Sequence, residues 1–415
     1  MTSTEELLRD LVRIPSVNPR DGAGDGGETA VAEYVRDWLA GREVRAELHE
    51  VLPGRCNVVA VVPGRRPEAV LLESHLDTVE TDGMTVGPYE GEVRDGRLYG
   101  RGACDAKGPL AAFMSAVAEL AAGEPPPYTV VLAGVCDEEH AYRGVLGLVD
   151  ALAGRAVAVA LAGRLIVDAV AGRGVVGAVV GEPTGLVPAV AHKGVVRYTV
   201  RTTGRAGHSS RPEEAVNAIT LMGPVIAHLA DQPPGVPPHP LLGPATRSVT
   251  RIRGGTGPNT IPGSCEVDVD RRTLPGEDLE TVWWQERAEL AALGADVDPP
   301  FTVDPALDTR PDAEIVTALC RALADHRRPA EVRGMPFGTD ASKLARAGIP
   351  SVVFGPGSVR DAHSAAESVA LAEVELAARV VVAAVRGMGA ERRGEGAVVR
   401  PAGASVRGEG GPSWG

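Results

Sequence analysis

The sequence has few aromatic residues, few cysteines and no long uncharged apolar run. Aromatic residues make up 3%, and the five cysteines are scattered without a Cys-x-x-Cys pair, so neither a disulfide framework nor a cysteine zinc site is indicated. No stretch reaches the roughly 18 uncharged apolar residues of a membrane helix. Residues 1–20 lack the apolar core of a secretion signal and carry Glu5 and Glu6. These absences predict a cytoplasmic protein without a membrane partner.

An excess of basic residues is also missing. The 42 lysines and arginines are outnumbered by 55 aspartates and glutamates, which gives a formal net charge of −13. Nucleic-acid binding requires basic patches that can neutralise phosphates, and none stands out. We therefore expect a small-molecule ligand and no nucleic-acid partner. The 415 residues are too many for one simple core, so two or three structural units are expected.

Helical and strand-like patterns alternate along the chain. Apolar residues recur at helical spacing in three segments, residues 4–13 with Thr4 as the cap, 28–39 and 109–122. Strands are predicted within residues 45–62 on both sides of a Pro-Gly turn, and at 69–73 and 128–135. The alternation predicts an α/β fold, with a mixed, mostly parallel sheet and helices on both faces. Residues 150–180, rich in Ala, Val and Gly, give no clear pattern.

Metal-ligating residue types follow the predicted strand 69–73. His75 and Asp77 come at its carboxyl end, where open α/β sheets place their ligands. A carboxylate beside a ligating imidazole fixes the ring tautomer, which is the role we assign to Asp77. Asp105 lies in a glycine-rich turn before the helix 109–122. The alternatives are that His75 is a hydrogen-bonded core residue and that Asp105 is only a helix N-cap.

Three more candidate positions follow other strands. The strand 128–135 leads into Glu138 and Glu139, to which we assign the proton acceptor and a metal ligand respectively, although adjacent acids are also typical of a solvated surface. Glu182 follows residues 179–180 and could instead be an ordinary turn residue. His363 follows the apolar strand 350–354. Five nitrogen and oxygen ligands at one sheet edge fit two metal ions, with zinc first and cobalt or manganese as alternatives.

Seven motifs then carry a resemblance to a known family. They are HLDTV, GRGACDAKG, CDEE, GEPT, GHSSRPE, GTDASKL and AHSAAES. In this order and spacing, between about residues 5 and 388, they resemble the zinc amidohydrolases that include acetylornithine deacetylase, succinyl-diaminopimelate desuccinylase, aminoacylase and carboxypeptidase G. Two departures are Ala366, where the family commonly has an acid, and a long segment before Glu182.

The resemblance implies a role for each candidate at the metal centre. Asp105 would bridge two metals, with a cis peptide bond to Ala106, and Glu138 would be the general base. The other ligands would divide between the two metals, His75 and Glu182 at one, Glu139 and His363 at the other.

The resemblance also implies an inserted ferredoxin-like lid and dimerisation domain. The predicted elements support it with a β-α-β-β-α order, at residues 192–202, 215–229, 248–253, 265–273 and 281–293. We therefore expect a catalytic domain formed by residues 1–190 and 302–390, a lid at 191–301, and a disordered tail at 391–415. The lid would make the protein a homodimer.

Substrate-binding residues follow from the same resemblance. His208 of the lid would reach the other subunit's active site and donate a hydrogen bond to the oxyanion. Without the resemblance, the sequence around His208 indicates only a histidine in a loop. Asn259 and Arg272 would hold the substrate carboxylate. Because side chains alternate along a strand, Arg271 points away from Arg272, so only one of them can be the clamp. Thr339 and Gly355 would belong to the substrate-side loops.

The expected activity is cleavage of an N-acyl amino acid by a dinuclear zinc amidohydrolase, through a zinc-activated water. Acetylornithine deacetylase is the branch most resembled. A desuccinylase or a dipeptidase or carboxypeptidase of the same family is the alternative. A different class of function, a catalytically idle family member that acts as a binding dimer, is opposed by the presence of Glu138 and all the ligands.

Overall fold

The computed structural model describes residues 3–20, 27–154, 174–231, 233, 235–389 and 400–401. Their helices are α1 (Thr4–Arg13), α2 (Glu28–Ala40), α3 (Lys107–Ala122), α4 (Arg143–Leu152), α5 (Ala218–Ala230), α6 (Leu279–Ala292), α7 (Glu314–Asp325), α8 (Ala341–Arg346) and α9 (Leu371–Gly387). Their first strands are β1 (Arg45–Leu52), β2 (Arg55–Val62), β3 (Arg66–His75), β4 (Glu92–Arg94), β5 (Arg97–Tyr99), β6 (Tyr128–Val135), β7 (Val175–Val180), β8 (Ala189–His192), β9 (Gly194–Thr203) and β10 (Gly207–His208). The later strands are β11 (Thr246–Gly254), β12 (Thr260–Ile261), β13 (Ser264–Thr273), β14 (Asp296–Val297), β15 (Thr302–Asp304), β16 (Leu307–Asp308), β17 (Glu331–Met335), β18 (Ser351–Val353), β19 (Ser368–Ala370) and β20 (Arg400–Pro401).

A large central sheet forms the body of the molecule. Its strand order is β1-β2-β6-β3-β7-β18-β8-β17-β20, with β16 added on β8. Strands β6, β3, β7 and β18 are parallel neighbours, and β8 and β17 are also parallel, while β1-β2, β2-β6 and β18-β8 are antiparallel. The sheet is thus mixed and mostly parallel in its centre, which confirms the predicted α/β fold.

Helices cover both faces of this sheet because its inner strands are apolar on both sides. Along β3, Val70 and Leu72 pack into a cluster with residues of α1, α2, α3, α7 and α9. The alternate residues Ala69 and Leu71 pack into a second cluster with residues of α4 and α8. The period of two therefore places one hydrophobic core on each face.

A second, antiparallel sheet has its own core. Its order is β11-β13-β9-β14, with β15 also on β9, and one face packs against α5 and α6. The described order β9-α5-β11-β13-α6 is the one expected from the sequence. The chain leaves the central sheet between His192 and Gly194 and returns between Asp304 and Leu307.

The predicted strand 192–202 is divided between the two sheets. His192 ends β8 in the central sheet, and Gly194 begins β9 in the second sheet. A side chain at Gly194 would lie 2.5 Å from the Thr273 hydroxyl and 2.6 Å from the Asp304 carbonyl oxygen. The close approach of the Thr273 side chain and the Asp304 backbone favours glycine where the chain crosses.

Helix ends differ from the predicted ones because of local capping. Ser3, rather than Thr4, caps α1: its hydroxyl accepts from the Glu6 N–H at 3.1 Å, and the Glu6 carboxylate accepts from the Ser3 N–H at 2.8 Å. Helix α5 starts at Ala218, later than predicted, because Asn217 caps it with two side-chain hydrogen bonds. None of the described helices is long and apolar enough to cross a membrane.

Two predicted segments lie largely outside the described residues. Of the unassigned stretch 150–180, residues 155–173 are not described, and β7 follows them. Of the predicted tail, the structure describes Arg400 and Pro401, which form β20 and pair in parallel with β17.

Candidate metal centre

The predicted ligands meet because parallel strands share an edge. Strand β3 ends at His75, and its neighbours β6 and β7 end just before Glu139 and Glu182. All three strands run in the same direction, so their carboxyl ends lie side by side. The next strand, β18, leads into the loop that holds His363. Asp105 comes from the turn before α3, across the same edge.

Asp105 lies between two groups of potential ligands. His75 Nε2 is 3.0 Å from Asp105 Oδ1 and 4.0 Å from a Glu182 oxygen. On the other side, His363 Nε2 is 3.3 Å from Asp105 Oδ2 and 2.9 Å from a Glu139 oxygen. Each group keeps its ligand atoms within 4.8 Å of one another. One carboxylate oxygen of Asp105 thus faces each group, as a bridging ligand must.

The turn that carries Asp105 is held by a residue that the sequence analysis missed. The Glu367 carboxylate accepts hydrogen bonds from the backbone N–H groups of Cys104 (2.9 Å) and Asp105 (3.0 Å), and from the Arg101 guanidinium (2.6 Å). The Asp105–Ala106 peptide bond is cis, which confirms that expectation. Glu367 follows Ala366 in the AHSAAES motif. An acidic residue within that motif was the sequence feature that could have indicated its supporting role.

Asp77 is fully buried and has more partners than expected. The Nδ1 atom of His75 is 2.9 Å from the Asp77 backbone oxygen and 3.6 Å from the Asp77 carboxylate. The carboxylate accepts from the backbone N–H groups of Glu138 (3.1 Å) and Glu139 (3.0 Å), and from the Asn18 amide at 2.7 Å. Asp77 therefore positions the adjacent glutamates as well as His75, and Asn18 is a second supporting residue that the sequence did not reveal.

The electrostatics of the site reflect buried carboxyl groups close together. Burial, with neighbouring carboxylates, raises the pKa of Glu138 and Glu182 well above the ordinary value. Hydrogen bonds to Asp105 and Glu139 raise the pKa of His363 to about 10. Burial opposes ionisation of Asp105, yet its hydrogen bonds with His363 and His75 hold its pKa below the ordinary value. Such clustered carboxylates are stabilised by bound cations.

The donor atoms also fit a divalent metal. The two groups offer imidazole nitrogens and carboxylate oxygens, a set suited to zinc, cobalt or manganese. The thiols next to candidate residues in the sequence, Cys104 and Cys136, are buried, and the Cys104 sulfur lies 3.4 Å from the Ser358 carbonyl oxygen. The residues present therefore fit a pair of metal ions bound without thiolate.

A cavity of about 470 Å³ opens over this centre, between the two sheets. Asp105, Glu138 and His363 line its floor, while Arg197 and Arg272 line it from the second sheet. The alternation predicted for β13 is confirmed. Arg271 is buried and pairs with Glu277 and Glu286, while Arg272 faces the cavity.

The other predicted substrate residues lie elsewhere. Thr339 is buried beside the cavity-lining Gly338, and Gly355 lies behind Glu182, where a side chain would meet the Glu182 carbonyl oxygen at 2.6 Å. His208 and Asn259 are exposed and are not among the residues that line the cavity of their own chain. Arg197 lines the cavity and was missed, because only the pairing of β9 with β13 brings it there.

This fold, with two candidate ligand groups that share an aspartate at the sheet edge, has the arrangement expected of a metal-dependent hydrolase. The chain belongs to peptidase family M20/M25/M40, which it matches over residues 71–387. It is therefore a hydrolase that acts on amide bonds, and the family expected from the motifs is confirmed.

Individual relatives agree with this assignment. The chain is 33% identical to the acetylornithine deacetylase of Myxococcus xanthus over 349 residues, which cover 80% of the chain and 83% of the relative. It is 29% identical to that of Proteus mirabilis (strain HI4320) over 397 residues, or 89% of the chain and 92% of the relative.

Two solved structures share the fold. An M20 family metallo-carboxypeptidase from Sulfolobus solfataricus superposes with a TM-score of 0.74 at 16% identity, covering 93% of the chain and 99% of that protein. A dinuclear metal-binding peptidase of the same family from Bacillus subtilis gives 0.66 at 19% identity, covering 92% and 96%.

Proposed function

We propose that this protein removes the acyl group from an N-acyl amino acid that has a free carboxylate, as an acetylornithine deacetylase-like enzyme. The observation that carries the proposal is the position of Asp105, with one carboxylate oxygen towards each of two ligand groups. Acetylornithine deacetylases among the relatives support the substrate class. A desuccinylase or peptidase activity remains the alternative, since structures that share the fold include peptidases.

Two zinc ions are the proposed cofactors, with cobalt or manganese as substitutes. His75 and Glu182 would hold one ion, Glu139 and His363 the other, and Asp105 both. Bound metal would polarise the scissile carbonyl and lower the pKa of the attacking water. The chain would supply five ligands, and Glu367 and Asp77 restrain the backbones of two of them, Asp105 and Glu139, through hydrogen bonds.

Glu138 is the proposed general base. It lines the cavity floor, and the hydrogen bond from its backbone N–H to Asp77 holds it beside the ligand Glu139. Burial raises the pKa of Glu138 above its ordinary value, a direction that favours proton acceptance. Glu138 would take a proton from the attacking water and return it to the departing amine nitrogen.

Arg272 is the proposed clamp for the substrate carboxylate, because it faces the cavity while Arg271 is buried. His208 and Asn259 would act in the cavity of a second subunit. They lie together on one small ribbon, in which β10 pairs with β12 and the Ser209 N–H donates to the Asn259 carbonyl oxygen at 3.0 Å. Both residues would therefore reach a partner together, which supports a homodimer formed through the lid, the unit of the second sheet.

The proposed domain division follows the two sheets. The central sheet, in which β8 ends at His192 and β16 begins at Leu307, would form the catalytic domain expected at residues 1–190 and 302–390. The second sheet, from Gly194 of β9 to Asp304 of β15, would form the lid expected at residues 191–301, so the sheets exchange a few residues later than those bounds. The tail 391–415 is not assigned a function. A cytoplasmic location is proposed from the sequence and from the bacterial acetylornithine deacetylases among the relatives.

A metal-dependent hydrolysis assay tests the proposal. The protein is stripped with a chelator, reloaded with zinc, cobalt or manganese, and offered N-acetyl-ornithine, other N-acetyl amino acids, N-succinyl-diaminopimelate and dipeptides. We expect hydrolysis of N-acetyl amino acids that depends on added metal. A folded, metal-loaded protein that hydrolyses none of the panel would support the idle binding dimer instead.

A further inference from the structure

The lid sheet presents charged side chains on the face opposite α5 and α6. On strand β13, the acidic residues Glu266, Asp268 and Asp270 each face arginines on the neighbouring strands. We call each of these acids, with the arginines that contact it, a rung. The rungs of Glu266 and Asp268 are balanced. Arg201 and Arg253 contact Glu266, and Arg201 also contacts Asp298, while Arg251 pairs with Asp268.

The third rung has one positive charge in excess. Its single carboxylate, Asp270, accepts from Arg197 Nε at 2.8 Å and from Arg272 Nε at 2.7 Å. Two guanidinium groups therefore share one acid, and both line the cavity over the metal centre. The other acid on this side of the cavity, Asp304, is already paired with Lys343 at 2.5 Å. The unbalanced rung is thus the one that a substrate would meet.

The two arginines differ in the hydrogen-bond donors they have left. Arg272 uses both Nε and Nη2 on Asp270, the latter at 3.2 Å, so one edge of its guanidinium is occupied. Arg197 uses only Nε. Within the described part of the chain, neither Nη atom of Arg197 has an acceptor, and 39% of its side chain is exposed. Arg197 therefore offers more donors to the cavity than Arg272.

We propose that Arg197 determines specificity for the substrate carboxylate, which it binds with its Nη atoms beside Arg272. Asp270 positions both guanidinium groups. A planar guanidinium binds a carboxylate through two parallel hydrogen bonds, and the excess charge of this rung is neutralised by one such anion. The inference rests on the proposed function, because it assigns a binding residue to the free carboxylate of the proposed substrate. It predicts that a neutral carboxamide in that position binds poorly.

A purely structural Arg197 would behave differently. If its only role were to hold Asp270, its loss would change thermal stability or the position of Arg272, and acid and amide ligands would be affected equally. The test must therefore compare a carboxylate with the matching carboxamide in the same protein.

The experiment uses N-acetyl-L-norvaline and N-acetyl-L-norvalinamide. Values of kcat/KM are measured on the zinc-loaded protein, and binding is measured by calorimetry in a Glu138→Gln background, where neither ligand is consumed. We expect the wild type to prefer the acid and Arg197→Gln to reduce that preference about tenfold to a hundredfold, the usual contribution of a charge-assisted hydrogen bond. Arg197→Lys should restore only part of it, because an ammonium lacks the fork.

Arg201→Gln is the matched control. Arg201 lies on the same strand and face, but in a balanced rung away from the cavity lining, so its loss should leave the acid preference unchanged. An unchanged preference in Arg197→Gln, or a wild type that binds both ligands equally, would overturn the inference even if hydrolysis is observed. Acid-selective binding that requires Arg197, without any turnover, would overturn the proposed hydrolysis and leave the inference standing.

Discussion

The edge of the central sheet and the charged face of the lid sheet handle acidic residues in opposite ways. At the edge, Asp105, Glu139 and Glu182 gather around two histidines. On the lid, the acidic residues of β13 are paired with arginines from the chain itself. Acids that stabilise the fold are paired with arginines of the chain, which stay charged, whereas acids grouped with histidines can bind metal ions because a neutral imidazole is also a ligand.

The difference also assigns separate tasks to the two regions. The buried carboxyl groups of Glu138 and Glu182, whose pKa values are raised, suit the proposed proton transfer and the proposed metal binding respectively. The charges of the lid rungs are balanced except at Asp270, whose two arginines line the cavity. Chemistry is thus expected from the central edge, and recognition of charge from the lid.

The largest expected effect is at Glu138. Glu138→Gln should lower kcat about a hundredfold to ten-thousandfold, the usual contribution of a general base, and retain both metals. Glu139→Ala should lose metal at one site. Metal content measured by plasma mass spectrometry separates the two roles, and an equal fall in both variants would mean that base and ligand are wrongly assigned.

The next effect concerns the exposed His208. His208→Ala should lower turnover about a hundredfold to a thousandfold, as expected for one oxyanion donor, with its metals retained. If the histidine acts in the partner's site, an equal mixture of His208→Ala and Glu138→Ala should regain about a quarter of wild-type activity after subunit exchange. Half of the dimers are then mixed, and each mixed dimer has one intact site of two.

The mixing experiment needs proof that subunits exchange, for which differently labelled chains and energy transfer suffice. If exchange is demonstrated and activity does not recover, then His208 acts in the active site of its own chain or has no role in the reaction.

A smaller effect is expected at the clamp. Arg272→Gln should raise KM about tenfold to a hundredfold for N-acetyl amino acids, because it removes a charge-assisted hydrogen bond, while kcat changes less. Arg253→Gln, on the same sheet but away from the cavity, serves as the control. Equal KM values for wild type and Arg272→Gln would remove Arg272 from the substrate site.

The smallest effect is expected for a balanced lid rung. Arg253 is exposed, so Arg253→Gln should change the free energy of unfolding by less than about 1 kcal/mol, as is usual for surface ion pairs. Chemical denaturation followed by circular dichroism measures the change. A loss of metal or of activity in this variant would contradict the separation between the two regions.

The sequence predicted which candidate ligands lie together, because they follow strand ends. A parallel sheet brings the ends of neighbouring strands to one edge, so His75, Glu139 and Glu182 could be placed without knowing their distances. The supports could not be predicted in this way. Glu367 holds a backbone N–H 262 residues away in the chain, and Asn18 reaches Asp77 across 59 residues.

Arg197 shows a second kind of limit. The strand around it was predicted, but its division at Gly194 was not, because that glycine is required by contacts with Thr273 and Asp304. Only the register of β9 against β13, with Arg197 opposite Asp270, shows that two arginines share one carboxylate beside the cavity. Such a relation depends on pairing between distant strands, which a local pattern does not contain.

The proposed function depends most on the role of Asp105, which would join two metal sites in one chain. Its most direct test is the zinc content of purified protein, measured by plasma mass spectrometry after saturation and removal of free metal. We expect two zinc ions per wild-type chain, one for His363→Ala and fewer than one for Asp105→Ala, all with wild-type circular dichroism. A wild type that saturates at one ion, or an Asp105→Ala variant that keeps two, would contradict this role.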